Sequence, residues 1–368
     1  MHTAQRVREV IERQQYDDLL FWKNPLLLRE KGRLAKGAEV HGSALSIHNK
    51  GIIISGKSES GKTTTWFNLL RHGGKAISED LTNLVFTPSA ALLISPGTRH
   101  AFRIHGKYHR RYTSQPAYGE VGQMKSGGII PKYIEAPMDP TAQQTGRPLH
   151  AVFYIEKQRL HPRAYPRVVL MDENKLVHHF QSEDTSTFPS SFDLPETHTR
   201  ESIRRLSWKR KEEIAQRVVQ QLRKVGVNFF QVYVPETKEA KKQALTATAI
   251  SKFARGFVGG FKPGLNLLAI SHEHSGKVFP ISRSTVIGTA GDIRLKEDKT
   301  IASRHTAFEK IKGKWTARDL GTKAHTHILK KERVEAGKVD WRRLKGTMEI
   351  QDGDLLAIGH TFVQVVIK

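Results

Sequence analysis

The sequence contains no cysteine, so disulfide bridges and thiolate metal sites are excluded. It also contains no apolar run approaching the ~18–20 residues that a membrane-spanning helix requires. Its N-terminal segment lacks the apolar stretch and the cleavage site of a secretory signal. These absences lead us to expect a cytoplasmic protein with no membrane partner.

Acidic residues are scarce relative to basic ones. The chain has 36 Asp and Glu against 60 Lys and Arg, which gives a formal net charge of +24 at pH 7. The basic excess is spread along the chain at nearly even density, so there is no basic tail. A charge of this size fits a polyanion partner such as nucleic acid, and the alternative of a generally basic surface stays open.

The pattern of predicted strands and helices changes near residue 256. The length of 368 residues is enough for two domains. Before that point, apolar strand patterns alternate with helical ones such as "RKEEIAQRVVQQLRKVG". After it, short strand patterns such as "TVIG", "TAFEKI" and "TFVQVVI" follow one another. We therefore predict an α/β domain over residues 1–255, a Gly/Pro linker over 256–264 and an all-β sandwich or barrel over 265–368.

The clearest motif is "GKSESGKT" at residues 56–63, which satisfies G-x-x-x-x-G-K-[ST]. It follows the apolar run "GIII" and precedes a short helical pattern, so its amides and the helix dipole would face an anion. Lys62 would reach the β- and γ-phosphates, and the Thr63 hydroxyl would ligate Mg²⁺. The alternative is a Gly/Ser-rich turn without a ligand. The predicted contacts to ATP are Gly56, Lys57, Ser58, Glu59, Ser60, Gly61, Lys62, Thr63 and Thr64.

An acidic pair, Glu79 and Asp80, ends the next apolar stretch. Near a phosphate loop, one carboxylate can hold Mg²⁺, directly or through water, while the other takes a proton from an attacking hydroxyl. An exposed acidic turn without a catalytic role is the alternative.

The stretch from His41 to Asp80 resembles the core of the HPr kinase/phosphorylase family, which shares a P-loop fold with phosphoenolpyruvate carboxykinase. The matching marks are a histidine fifteen residues before Gly56, the run "LLRHGGKAISED", and an acidic pair 23 and 24 residues after Gly56. The resemblance implies that Glu79 is the catalytic base and that Asp80 holds the metal with Thr63. It also implies that His41 lies near the phosphates or the acceptor.

This sequence departs from the family at three positions. Glu79 replaces an aspartate, Thr64 stands where the family has glutamate, and Glu59 stands where it has glycine. The resemblance implies ATP- and Mg²⁺-dependent transfer of the γ-phosphate to a hydroxyl of a protein, a peptide or a small molecule, and possible homo-oligomers. Two alternatives stay open: a nucleic-acid-directed kinase or NTPase, and a nucleotide-dependent scaffold without catalysis.

Residues 265–368 resemble a forkhead-associated (FHA) domain, a β-sandwich whose end loops usually read phosphothreonine. The resemblance places Ser303 and Arg304 in the phosphate-contact loop and makes His305 a structural brace. The other matching marks are Gly288, Trp315, Asp319-Leu320, Gly353-Asp354 and Ile358-Gly359.

Two donors of the FHA pattern are missing. Thr289 stands in place of an arginine, and Ala324-His325 stands in place of an Asn-Gly pair. Docking of a phosphoprotein and protein contact that needs no phosphate therefore both stay open.

Two further segments are strongly basic. Residues 99–113, "RHAFRIHGKYHRRYT", could bind an acidic or phosphorylated substrate beside the nucleotide. Residues 200–211, "RESIRRLSWKRK", carry Trp208 among basic side chains and could contact nucleic-acid phosphates. An ordinary solvated surface is the alternative for each.

Overall fold

The structure is a computed structural model that describes residues 36–57, 60–79, 81–95, 101–104, 119–123, 132–158, 166–182, 207–235, 240–257, 260–271, 274–335 and 340–368. The chain divides into two compact units. The first comprises Met1–Glu156 and Met171–Phe230, and the second comprises Lys157–Leu170 and Gln231–Lys368. Within the described ranges, no helix combines the length and the apolar character needed to cross a membrane.

Apart from β11, which is given below, the described elements up to Lys224 are ten strands and four helices. The strands are β1 (Lys36–His41), β2 (Ser43–Ile47), β3 (Lys50–Gly56), β4 (Lys75–Ser78), β5 (Leu81–Phe86), β6 (Ala91–Ile94), β7 (Ala101–Ile104), β8 (Gly119–Gln123), β9 (Lys132–Glu135) and β10 (Arg147–Gln158). The helices are α1 (Lys62–Arg71), α2 (Pro140–Gln144), α3 (Glu173–Ser182) and α4 (Trp208–Lys224).

The remaining described elements are mostly strands. In chain order they are β11 (Arg167–Leu170), β12 (Asn228–Pro235), α5 (Ala240–Gly256), β13 (Leu265–Ala269), β14 (Val278–Ile281), β15 (Thr285–Gly288), β16 (Ile293–Arg294), β17 (Thr306–Ile311), β18 (Lys314–Asp319), β19 (Thr326–Leu329), α6 (Lys331–Glu335), β20 (Arg342–Arg343), β21 (Thr347–Glu349), β22 (Leu355–Ile358) and β23 (Thr361–Ile367).

The first unit is built on a sheet with the strand order β1-β5-β6-β10-β3-β2-β4. Strands β3 and β10 are parallel, and the other neighbours along this path are antiparallel. The amphipathic helix α4 was predicted from its 3.6-residue period, and its apolar stripe is buried in the core of this unit. The buried stripe residues are Ile214, Ala215, Val218, Val219 and Leu222.

Gly42 separates strands β1 and β2. Strand β1 pairs with β5, whereas β2 pairs with β3 and β4, so the chain changes partners between them. A Cβ at Gly42 would lie 2.8 Å from Ile53 Cγ2, which leaves room only for glycine at this crossing. The change of partner places the end of β1 and the start of β2 beside the end of β3.

The second unit contains the β-sandwich predicted over residues 265–368. One sheet has the order β14-β13-β23-β22-β19-β20, and the other has the order β16-β15-β17-β18-β21. Their facing side chains form one apolar core, which includes Leu267, Ile287, Phe308, Leu356 and Val365.

The division of the chain lies elsewhere than the predicted linker. Helix α5 ends at Gly256, where a Cβ would lie 2.0 Å from Ser275 O, so this helix end is in close contact with the turn before β14. The Leu170 N–H in β11 donates to Gln364 Oε1 in β23 at 2.6 Å. Because β11 and α5 pack with the sandwich, the compact unit includes residues that the Gly/Pro composition assigned to the N-terminal domain.

Candidate phosphate-binding sites

The buried strand β3 leads directly into the motif "GKSESGKT". Gly56 closes β3 with φ +150°, and a Cβ there would lie 2.6 Å from both Ile155 O and Ser60 Oγ. The loop therefore turns beside β10 at a point where a side chain cannot be accommodated.

Helix α1 begins directly after this loop. Its N-cap is Gly61, with φ 100°, and neither a side-chain cap nor an acidic residue occupies the first turn. The first amides of an α-helix have no intrahelical acceptor, and the helix dipole adds positive potential there. Lys62 Nζ donates across the loop to Gly56 O at 2.7 Å and to Lys57 O at 3.1 Å. Donors and positive charge thus converge on this loop.

Ser60 provides a test of whether the loop suits an anion. Its side chain is 7% exposed, and its hydroxyl has no hydrogen-bond partner among the described residues. Its oxygen lies beside Gly56, 2.6 Å from the position that a Cβ on Gly56 would take. A buried hydroxyl without a partner costs about 1–3 kcal/mol, and an anion oxygen in the loop would accept its hydrogen bond. The residues present therefore fit a phosphate group.

His41 and Glu79 meet the loop at the same end of the sheet. Ser55, the residue before Gly56, donates from its hydroxyl to His41 O at 3.0 Å. Ser43, which pairs with Ile54 of β3, donates from its hydroxyl to Glu79 O. The backbones of His41 and Glu79 thus lie where β3 ends, and their catalytic roles stay predictions.

A buried histidine that no sequence pattern selects also contacts this end of β3. His179 in α3 is 4% exposed, and its Nε2 lies 2.9 Å from Ser55 Oγ. Because the Ser55 hydroxyl donates its proton to His41 O, the His179 Nε2–H is the donor to Ser55. The two residues are 124 positions apart, so no local spacing could have revealed the contact.

Three of the predicted site residues, Ser58, Glu59 and Asp80, lie outside the described residues. Of the predicted Mg²⁺ ligands only Thr63 is described, and it is exposed at the first turn of α1. Thr64 is half-buried in the same turn. The described ranges contain no cluster of three or more histidine or acidic side chains that could hold a metal ion.

In the second unit, three loops meet at one end of the sandwich, and His305 braces two of them. His305 is fully buried, accepts a hydrogen bond from Ala302 N at Nδ1 (3.1 Å), and places Nε2 3.0 Å from Thr322 Oγ1. Burial lowers the pKa of His305 below its ordinary value, so its ring is neutral at pH 7. With Nδ1 as an acceptor, Nε2–H donates to Thr322. The structural role that the resemblance implied for His305 agrees with these contacts.

Asp319 organises the loop after β18. Its carboxylate accepts from Gly321 N, from Thr322 N and Oγ1, and from Thr326 N, at 3.0–3.2 Å. Burial raises the pKa of Asp319, but these donors outweigh burial and hold the pKa below its ordinary value. His325 lies on the same loop with φ 45°, and its Nδ1 is 3.4 Å from Asp319 Oδ2.

Ser303 and Arg304 are exposed between these braced positions. Ser303 O accepts from Ala290 N at 3.0 Å, and Ala302 O accepts from Thr289 N at 3.0 Å, which ties this loop to the turn after β15. The approach is close enough that a Cβ at Gly288 would lie 2.1 Å from Ser303 O. A hydroxyl and a guanidinium are thus presented on a loop whose backbone is fixed on both sides.

Comparisons with known proteins give matches only among solved structures; no family model and no curated protein matches the chain. The FHA domain of the CT664 protein from Chlamydia trachomatis is 18% identical, with 28% of this chain and 98% of that chain covered and a TM-score of 0.24. The FHA domain of human APLF, in complex with an XRCC1 bisphospho peptide, is 18% identical, with 28% and 99% covered and a TM-score of 0.24.

A third match is Mycobacterium tuberculosis EmbR in complex with a low-affinity phosphopeptide. It is 17% identical, with 44% of this chain and 36% of that chain covered and a TM-score of 0.24. Similarity at these scores carries no argument about this chain, so the FHA resemblance of residues 265–368 stays a prediction from the sequence. The HPr kinase resemblance stays a prediction.

Proposed function

We propose that the second unit docks a phosphorylated protein through the loop that carries Ser303 and Arg304. The observation that carries this proposal is the exposed hydroxyl–guanidinium pair on a backbone fixed by Ala290 N–H, Thr289 N–H and the His305 ring. A preorganised loop loses little entropy on binding, and Arg–phosphate hydrogen bonds are charge-assisted. The pair supplies a hydroxyl donor and a guanidinium donor for a phosphothreonine phosphate.

The docking proposal is tested by binding of a fluorescent, sequence-degenerate phosphothreonine peptide pool to the full chain. We expect binding of the phosphorylated pool, no binding of its unphosphorylated counterpart, and a loss of about 10-fold or more in affinity for Arg304→Ala. Arg343→Ala, which removes an exposed arginine from β20, is the matched control. Equal binding of both pools would show a contact that does not depend on phosphate.

As a second function, we propose ATP-dependent phosphoryl transfer at the loop of residues 56–63. The observation that favours it is the buried Ser60 hydroxyl, which has no hydrogen-bond partner among the described residues and lies beside Lys62 and the N-terminus of α1, which has no side-chain cap. In this assignment the loop amides, Ser60 and Lys62 bind the β- and γ-phosphates. Thr63 and Asp80 would hold Mg²⁺, which would neutralise charge on the phosphates.

The transfer step follows from the same assignment. The acceptor hydroxyl forms a P–O bond to the γ-phosphorus, the bond from that phosphorus to the bridging oxygen breaks, and ADP leaves. Glu79 would take the hydroxyl proton, and His41 would lie near the phosphates or the acceptor. The acceptor class is a serine of a protein or peptide, or a small-molecule hydroxyl.

Three outcomes of a radiolabelled-phosphate assay separate the candidate activities. Transfer to a protein or to free serine that is lost in Glu79→Gln supports the kinase. Transfer to an oligonucleotide 5′-hydroxyl instead supports a polynucleotide-directed enzyme. Binding of Mg-ATP without transfer, unchanged in Glu79→Gln, supports a nucleotide-dependent scaffold. Calorimetry on Lys62→Ala tests the site itself, because loss of the ammonium is expected to weaken Mg-ATP binding by about 10-fold or more.

A further inference from the structure

Trp208 is the most exposed large apolar side chain among the described residues, at 55%. It is the first residue of α4, and the apolar stripe that buries this helix begins farther along, at Ile214. Neither of the two phosphate sites described above uses it. An exposed indole at a fixed helix position offers a flat surface on which another ring can stack.

The position of Trp208 is well defined by local hydrogen bonds. Ser207 caps α4, its hydroxyl accepting from Arg210 N at 3.2 Å. Gln181 in α3 donates from Nε2 to Trp208 O at 3.3 Å. The first turn of α4 is therefore anchored to a neighbouring helix, and a ligand that stacks on the indole meets a preformed surface.

Basic side chains surround this indole. Lys209, Arg210 and Lys211 follow it directly, and Lys209 is exposed. Arg210 forms an ion pair with Glu213 at 3.0 Å, so acidic residues on the same turn offset part of this charge. Across α4, six Lys and Arg stand against two Glu, which leaves a net positive helix in a chain of net charge +24.

An exposed indole among basic side chains suits either a membrane interface or a nucleic acid. The amount of exposed apolar surface on α4 distinguishes these two partners. Insertion into a membrane interface needs several apolar side chains on one helix face. Within α4, Trp208 is the single exposed large apolar residue. Stacking of a nucleobase needs one ring, with cations placed to meet the adjoining phosphates. The surface therefore fits single-stranded nucleic acid better than a lipid bilayer.

We propose that the N-terminal turn of α4 binds single-stranded nucleic acid. An unpaired base stacks on Trp208, and Lys209 together with its basic neighbours contacts the phosphates on either side of that base. The contact is independent of sequence, because every base presents a π-face and no base edge is read.

The test is a fluorescence-anisotropy titration of the full chain with a labelled oligothymidylate in the presence of Mg-ATP, so that the 56–63 loop is not the site measured. Trp208→Ala is expected to weaken binding by about 10-fold, because the base loses the ring on which it stacks. Trp208→Phe keeps a ring and is expected to retain most of the affinity. Quenching of Trp208 emission should accompany binding to the wild-type chain.

Salt dependence provides the second readout. Lys209→Ala is expected to lower the slope of log affinity against log salt by about 0.7, the value for one phosphate contact on a single strand. Lys224→Ala, at the opposite end of the same helix, is the control and should leave the slope unchanged. Equal affinity of Trp208→Ala and wild type overturns the proposal. So does binding to phosphatidylserine-containing vesicles with no binding to the oligonucleotide.

Discussion

Ser60 has a hydroxyl that is buried in the 56–63 loop without a hydrogen-bond partner among the described residues. A residue kept for stability would be expected to hydrogen-bond, whereas a residue kept for a ligand need not do so in the free protein. Stability and binding should therefore respond in opposite ways to its removal.

Ser60→Ala is expected to leave the melting temperature unchanged or to raise it, since no hydrogen bond within the described structure is lost. The same change should weaken Mg-ATP binding by about 10-fold, because a hydrogen bond to a charged phosphate is removed. Thermal melts and calorimetry measure the two effects. Ser89→Ala, in the exposed turn after β5, is the matched control. A large fall in melting temperature with unchanged affinity would assign Ser60 a structural role.

His305 supplies a pH-dependent prediction because burial holds its pKa below its ordinary value. An unfolded histidine titrates at about pH 6.5. Below that pH the ring is protonated in the unfolded chain, whereas in the folded chain it stays neutral until the pH reaches its lowered pKa. The unfolding free energy should fall as pH decreases from about 6.5 towards the folded pKa, with a slope of at most about 1.4 kcal/mol per pH unit from this residue.

Denaturant unfolding at a series of pH values measures this slope. His305→Gln should be less stable at pH 7, because the brace between two loops is altered, and should show a flatter pH dependence. His360→Gln, at an exposed position, should keep the wild-type slope. An unchanged slope in His305→Gln would show that the ring does not supply this pH dependence.

At the scale of elements, the turn after β15 and the loop before β17 meet so closely that only glycine fits at position 288. A Cβ there would lie 2.1 Å from Ser303 O, a backbone atom that cannot move without displacing the Ser303–Arg304 loop. Gly288→Ala is expected to cost about 3 kcal/mol of unfolding free energy and to weaken phosphopeptide binding. Gly260→Ala, where a Cβ would meet no atom within 4 Å, is the control for both measurements.

The sequence was informative where one pattern governed one element. The apolar run before the motif predicted β3, and helical spacing predicted α4. The sequence was less informative where pairing with distant strands determined the structure. The division at Gly42 depends on the pairing of β1 with β5 and of β2 with β3. The contact of His179 with Ser55 joins distant segments, and no periodicity reports such a contact.

At the scale of the whole molecule, the predicted boundary followed composition, whereas the compact units follow packing. Residues 256–264 are rich in glycine and proline and were assigned to a linker. Gly264, however, exchanges both backbone hydrogen bonds with Lys368, and Gly256 closes a helix in the same unit as the sandwich. Glycine in a flexible linker and glycine required by a close contact cannot be distinguished from composition alone.

Each unit carries one proposed phosphate-binding site, so the chain should bind a phosphopeptide and a nucleotide at the same time. The most direct test titrates the full chain with the labelled phosphothreonine peptide pool, with and without saturating Mg-ATP. We predict phosphate-dependent binding that is lost in Arg304→Ala and that Mg-ATP does not displace. Failure to bind the phosphorylated pool, or its displacement by Mg-ATP, would contradict the account.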